Sequence, residues 1–371
     1  MKRTMKKMVS MALTGTMAVA VLAGAGTSEV KAADKAKIGV LVADVSGEEA
    51  QGFRSYYENY IAGNYDVEFN YTDALQSAED EKTAIEKFAS QGCQAIISFS
   101  SNDRVQQIET CEKYGVYYAV ASGVLDDAQY ETYKTYEYFA GQVGPGNDTE
   151  FEAGKDMGAY YKEQGVSKVA IYGAFIPNPM HVYRVAGVLN GLGCTYGGES
   201  DMNAIAGQIF QDQTVDLFKV DGYVEVVSYL QGYVDTTTDE LNAAIQKTPD
   251  AFISVGMATT FFAQSLSEAG ISFSDIDSFT ETNGNSMKNG TLTYLAGKYS
   301  SSIGPVFALV MNAINGNVIR DEDGNAPSIS QGYLVATDSD TFDKYSVSDS
   351  GDAPIYDKET LDSIIGDNVT F

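Results

Sequence analysis

The side chains that most often carry catalysis are scarce in this sequence. There is one histidine, His181, and there are three cysteines, Cys93, Cys111 and Cys194, with no CxxC pair. A lone histidine builds neither a triad nor a metal site, and without CxxC spacing a zinc ribbon or dithiol redox centre is not expected. No Walker-type Gly-Lys-Ser/Thr loop and no Gly-x-Ser-x-Gly elbow occurs. A pair of carboxylates could hydrolyse a glycoside. With 51 Asp and Glu in 371 residues, however, any two acids carry no signal. The expectation is a binding protein with no catalytic residue, no metal and no cofactor.

The sequence does offer polar residues directly after short apolar runs. Asp44, Ser46, Gly47, Glu48 and Glu49 follow the first run, and Ser100, Ser101, Asn102 and Asp103 follow the third. Ser122 closes the fourth. Farther on come Phe175, Asn178 and His181, then Met257 and Thr259, then Glu281 and Asn283. Loops at the ends of parallel strands open onto one crevice. A small polar ligand held there needs a partner for each buried hydroxyl. Asn178 lies in the rigid turn Ile176-Pro-Asn-Pro179, which could aim it inward. Glu48 and Glu49 have two readings: acceptors for ligand hydroxyls or a cationic amine, or acids at the start of a helix.

The elements that must position these residues alternate along the chain. Ile38–Ala43 is a continuous apolar run of strand length, as expected when both faces are covered. Strands are expected at 67–71, 95–99 and 116–121, with helices at 54–61, 77–90 and 105–114 between them, the last ended by Gly115. The pattern restarts with a strand at 138–143, followed by the dense turn Gly144-Pro-Gly-Asn-Asp148. Strands at 168–172, 223–229, 251–255, 292–296 and 331–335 then alternate with helices at 151–164, 181–192, 238–247, 259–269 and 303–314. Such an order implies α/β architecture with two doubly wound parallel-sheet lobes. Cys93 and Cys111 fall on the same edge of one such sheet. A disulfide between them is geometrically possible, and three buried free thiols is the alternative.

The first 32 residues differ in kind. Lys2, Arg3, Lys6 and Lys7 precede an apolar, small-residue stretch, and Val30-Lys31-Ala32 offers a cleavage site, which together read as a secretory signal peptide. Leu22-Ala-Gly-Ala25 resembles a lipobox with Ala25 in place of the cysteine, so no lipid can be attached there. The net charge of −27 disfavours nucleic acid and anionic lipid as partners.

Four local patterns resemble the type I periplasmic binding proteins of the ribose or sugar-binding kind, over roughly residues 35–337. They are Ile38-Gly-Val-Leu-Val-Ala-Asp44-Val-Ser46; Gln91-Gly-Cys-Gln-Ala-Ile-Ile97 with Cys111-Glu-Lys-Tyr-Gly-Val116; Val143-Gly144-x-x-Asn147-Asp148 with Gly154 and Met157-Gly158; and Arg184-x-x-Gly187-Val188. The resemblance implies a three-strand hinge, with crossings near Val143-Gly144, Gly297-Lys298 and Ser330-Gln331. With the signal peptide read over 1–32, it also implies a first lobe of 33–143 plus 298–330, and a second lobe and tail of 144–297 plus 331–371. Arg184 aligns with the family's ligand-binding arginine, and Lys298 falls where the family has a ligand-binding Gln. The ligand set expected on this basis is Arg184, Lys298, Ser46, Glu48, Ser100, Asn102, Ser122, Phe175, Asn178 and Asn283. Arg184→Ala is expected to abolish ligand stabilisation without unfolding the protein. Departures from the pattern include Glu48-Glu49-Ala50 where sugar binders carry stacking aromatics, and Ser122-Gly123 in place of an Asp-Arg pair.

By that resemblance the chain is an exported, monomeric solute-binding protein that passes a sugar or sugar-like ligand to the permease subunits of an ABC importer. The alternatives are a ligand-presenting subunit for a membrane receptor, or a binder of nucleosides or amino-acid-like compounds. A neighbouring permease or histidine kinase gene would separate importer from sensor.

Overall fold

The computed structural model describes residues 35–349 and 353–366. The expected signal peptide, 1–32, and the lipobox-like site at Ala25 lie outside the described residues.

The first lobe is built in chain order. β1 (Ala36–Leu41) leads to α1 (Glu48–Ser55), which runs on through a π-helical stretch (Tyr56–Ile61) into α2 (Ala62–Asn64). Then follow β2 (Val67–Tyr71), α3 (Ala78–Ser90), β3 (Ala95–Ser98), α4 (Arg104–Tyr114), β4 (Tyr117–Ala121), α5 (Asp127–Tyr133) and β5 (Phe139–Gly144). Ile38, Val40, Leu41 and Ala95–Ile97 are fully buried, because the sheet is covered on both faces. Phe53, Tyr57, Phe307 and Leu309 pack on one face, and Ile85, Phe88, Ile108 and Cys111 on the other. Gly115 ends α4 with φ 65°, the left-handed position that glycine adopts without steric cost.

The second lobe carries α6 (Asn147–Glu163), β6 (Lys168–Tyr172), α7 (Pro179–Leu192), β7 (Thr195–Tyr196), α8 (Met202–Asp212), β8 (Val220–Asp221) and β9 (Glu225–Leu230). It continues with α9 (Val234–Gln246), β10 (Ala251–Ser254), α10 (Ala258–Ala269), β11 (Ser272–Ser278), α11 (Glu281–Lys288) and β12 (Leu292–Lys298). The chain then returns to the first lobe with α12 (Gly304–Ile314) and β13 (Ser328–Ser330), adds β14 (Leu334–Ala336) and α13 (Ser339–Asp349) to the second, and ends in α14 (Lys358–Ile364).

Two six-stranded sheets result, ordered β13-β5-β4-β3-β1-β2 and β14-β12-β11-β10-β6-β9. Within these two sheets all strands pair in parallel except β14, which runs antiparallel to β12, and β7 and β8 form a separate antiparallel pair. The chain crosses between the sheets from β5 to α6, from β12 to α12 and from β13 to β14. These are the three hinge crossings the resemblance implies.

Several elements differ from the sequence reading. The expected strand at 331–335 is instead two strands in different sheets, because Gln331–Tyr333 is itself a crossing. β11 was not expected, since Ser-Phe-Ser-Asp-Ile-Asp-Ser lacks an apolar run. It is nevertheless interior, with Ser274 and Asp275 fully buried. Asp275 is partnered there by the Ser254 hydroxyl at 3.0 Å and the Thr259 N–H at 2.9 Å. The helices α5, α8 and α11 are further elements that the sequence reading does not name, although Ile205 and Ile209 of α8 reach the core.

The tail also departs from its assignment to the second lobe. α13 does pack on that lobe, with Phe342 against Phe279. α14 packs on the first, where Leu361 and Ile364 join the core and the Asn312 side-chain amide donates to Ile364 O. The three cysteines are buried free thiols, with Cys93 and Cys111 unlinked.

Candidate functional site

In each sheet the winding reverses beside its first strand: β1 lies between β2 and β3, and β6 between β9 and β10. Loops leaving the carboxyl ends of strands at such a reversal splay apart and leave a crevice. A cavity of about 1070 Å³ lies between the lobes at this place. Its first-lobe wall includes Asp44, Phe53, Phe99, Ser101, Arg104 and Ser122, and its second-lobe wall Asn147, Thr149, Glu150, Asn178, Met180 and Tyr183. The crossings contribute Gln142, Gly144, Lys298, Ser328 and Ser330.

On the first-lobe side a buried carboxylate shapes the loop after β3. Glu81 of α3 accepts from the Ser100 hydroxyl and from the backbone N–H groups of Asn102 and Asp103 at 3.0 and 2.9 Å. Burial works against its charge, but these donors hold its pKa below the ordinary carboxylate value. The loop therefore turns outward at Ser101 and delivers Arg104 to the cavity wall, while Asp103 caps α4 through the Gln106 N–H. Phe53 and Phe99 stack beside it, ring centroids 5.4 Å apart. Together they supply an apolar surface for a ring face.

The second-lobe wall rests on a close helix pair. A Cβ on Gly154 would sit 2.0 Å from Arg184 O, and one on Gly187 2.0 Å from Phe151 O, so α6 and α7 touch backbone to backbone. That approach places Glu150 against Arg184. Arg184 donates from Nε to Glu150 at 2.6 Å, from Nη1 to Val255 O at 2.8 Å and from Nη2 to the Tyr333 hydroxyl at 2.6 Å. Both ions are 3% exposed. Burial opposes the Arg184 charge, yet the Glu150 carboxylate and Tyr333 keep its pKa above normal. Next to it His181 is buried, with Nδ1 accepting from the Phe175 N–H at 3.2 Å. Burial and the Arg184 charge lower its pKa to about 3, so it is a neutral imidazole near pH 7.

The lobes also touch directly. Glu49 accepts from the Ser278 hydroxyl at 2.6 Å and lies 3.4 Å from Lys298 Nζ, and Glu48 accepts from the Thr282 hydroxyl at 2.9 Å. A smaller cavity of about 130 Å³ opens among Glu48, Glu49, Phe53, Ser278, Lys298 and Tyr299. Burial, and then the Glu49 charge, raise the pKa of Asp277 beneath it.

Of the residues expected to touch ligand, Ser122, Asn178 and Lys298 line the large cavity, and Glu48 lines the small one. The others stand elsewhere. Ser100 and Asn102 are spent on Glu81. Ser46 turns back on Asp44 at 3.1 Å. Phe175 packs on Tyr233 with centroids 4.6 Å apart. Asn283 is buried, donating to Asp277 and to Ser278 O. Arg184 is saturated by Glu150, Tyr333 and Val255, so its place is the support beneath the wall rather than the wall. Phe53, Phe99, Arg104 and Glu150 were missed. Phe53 stands one helical turn beyond Glu49, and only the i+4 spacing could have pointed to it.

Comparisons with protein-family models and with curated proteins gave no match. Solved structures matched widely. An Actinobacillus succinogenes ABC-transporter solute-binding protein with bound D-allose superimposes with a TM-score of 0.64 at 16% identity, covering 84% of this chain and 100% of that one. The arabinose-transporter binding protein of a Shewanella species, bound to L-arabinofuranose, gives 0.60 at 15% identity over 90% and 100% of the two chains. The fold is that of the type I periplasmic binding proteins. A Bacillus halodurans solute-binding protein holding myo-inositol shares this binding-protein fold at 0.60 and 15% identity, over 85% and 99%. Within the binding-protein fold, the cavity described above occupies the interlobe cleft.

Proposed function

We propose that this chain is an exported, monomeric solute-binding protein that captures a sugar or sugar-like polar solute between its lobes and presents it to the permease of an ABC importer. The observation that carries this reading is the cavity of about 1070 Å³ shared by both lobes and the crossings, with hydroxyl, amide and carboxyl groups beside the stacked pair Phe53–Phe99. Polar groups that match hydroxyls and an aromatic face that meets a ring suit a carbohydrate. Three slender crossings allow the lobes to swing, and a closed form is a state a membrane partner can recognise. The similar structures hold allose, arabinofuranose and inositol, which supports the same ligand class here. Ser122, Asn178 and Lys298 serve as polar contacts, and the ligand leaves unchanged, without turnover.

Thermal-shift screening of the secreted chain against monosaccharides, polyols, nucleosides and amino acids tests this. A binding sugar or polyol should raise the melting temperature by mass action, with about 2.7 kcal/mol of stabilisation at one hundred times Kd. It should also shrink the radius of gyration in solution scattering. Stabilisation by nucleosides or amino acids alone would sink the carbohydrate reading, and a stabilising ligand that leaves the scattering unchanged would sink capture by closure.

A further inference from the structure

The charges that line the interlobe cavity are almost all accounted for within the protein. Arg54 pairs with Glu58 at 2.9 Å, Lys298 with Glu49, and Glu150 with Arg184. Asp44 accepts the backbone N–H groups of Ser46 and Gly47. Asp126 caps α5, and Asp127 and Asp148 stand exposed in the first turns of α5 and α6, where acids are favoured and water reaches them. Arg104 is the exception. Among the described residues this half-buried guanidinium makes one hydrogen bond, from Nη1 to Val124 O at 2.6 Å, and forms no ion pair. Its Nε is inaccessible and has no protein partner. Glu81 of α3, whose charge reaches Arg104 without pairing with it, already accepts from Ser100, Asn102 and Asp103.

The site around Arg104 is shaped to keep the guanidinium in place. A Cβ on Gly123 would come 2.8 Å from Nη2, so the glycine makes room for it at the end of β4. Burial outweighs the attraction of Tyr118 and Glu81, neither of which pairs with it, and lowers the pKa of Arg104. A second wall group, the buried Tyr71 hydroxyl, also lacks a partner.

We propose that the captured solute carries a carboxylate, as a uronic acid or other sugar acid does, and that Arg104 is its counter-ion in the cleft. This deepens the reading of the chain as a carbohydrate-binding protein and rests on it. A planar guanidinium grips a carboxylate through two parallel N–H groups. A monoanion matches Arg104, the one cation of the cavity lining without an ion pair among the described residues, whereas a phosphate dianion would face Glu150 and the acidic rim of Asp126, Asp127 and Asp148 with one charge uncompensated.

The test is calorimetric titration of the secreted chain with D-galacturonate, D-glucuronate, their neutral hexoses, myo-inositol and glucose 6-phosphate. At least one uronate should bind tighter than its neutral parent by about ten- to a hundredfold, the usual range for a charge-assisted contact out of water. Its affinity should fall as salt rises while that of the neutral sugar stays constant, a readout that needs no variant. Arg104→Met should reduce the uronate to the affinity of the neutral sugar, and Arg104→Lys should restore part of the difference. Equal binding of neutral and acidic sugars, tighter binding of the phosphate, or an Arg104→Met protein that keeps uronate affinity within about twofold would overturn the carboxylate while leaving carbohydrate capture standing. Failure of every sugar in the set would overturn the capture reading itself.

Discussion

The Glu49 carboxylate of the first lobe accepts a hydrogen bond from the Ser278 hydroxyl of the second at 2.6 Å. Glu49 starts a helix and Ser278 ends a strand, so the contact joins two rigid elements rather than two loops. It acts as a latch beside the Lys298 crossing. Ser278→Ala should loosen it at a cost of about 1 kcal/mol, because Glu49 remains partly solvated. Small-angle scattering of the ligand-free variant should give a larger radius of gyration with little change in melting temperature. Identical scattering curves would show that the latch does not set the resting lobe angle.

Arg184 and Glu150 form an ion pair that is 3% exposed on both sides. Removing one partner leaves the other charge buried and uncompensated, which costs about 3–5 kcal/mol. Arg184→Met should therefore lower stability in urea denaturation even without ligand, contrary to the expectation drawn from sequence. The double variant Arg184→Met/Glu150→Met should recover most of the loss. A stable Arg184→Met protein would mean that Glu150 finds another partner.

Gly187 lies where a Cβ would fall 2.0 Å from Phe151 O. Gly187→Ala must push α7 away from α6, at a cost of about 1–3 kcal/mol or more, and it should disturb the Glu150–Arg184 pair as well. Gly207 on α8 is the control, because a Cβ there meets nothing within 4 Å. Gly207→Ala should stabilise by up to about 1 kcal/mol. Thermal melts of the two variants should move in opposite directions.

His181 has a pKa of about 3 in the folded chain, against roughly 6.5 when unfolded. A depressed value means that the unfolded chain takes up the proton first. The stabilisation is complete above pH 6.5 and is lost progressively as pH falls toward the folded value. Since His181 is the only histidine, the stability difference between the wild type and His181→Asn isolates this effect. The difference should shrink by about 1.4 kcal/mol per pH unit below pH 6. Carboxylates such as Asp275, whose pKa burial raises, act in the opposite sense but in both proteins alike, so they cancel. A difference constant from pH 7 to 5 would show that His181 is charged in the fold.

Alternation of apolar runs and helical stretches made the two-lobed architecture readable, because strands covered on both faces must be apolar throughout, as at Ile38–Leu41. β11 escaped for the converse reason. Its Ser274 and Asp275 are buried but partnered, and such pairing leaves no periodic trace in sequence. The strand ends named the right loops for part of the site. Ser122, Asn178 and Lys298 reach the cavity, while Ser100 and Asn102 from an equally good loop are taken up by Glu81, a residue about twenty positions away.

What the sequence by itself determined was the order of elements and the likeness to a two-lobed binding fold, since these follow from residue type and spacing along one chain. Tertiary structure alone decided which polar side chains remain available to a ligand. Read in line, Arg184 stands out as the cleft cation through the family resemblance, and nothing singles out Arg104. Glycine contacts between α6 and α7 bring Glu150 to the first, whereas among the described residues no acid forms an ion pair with the second. Availability depends on what else the fold brings near a group, and neighbours distant in sequence set that.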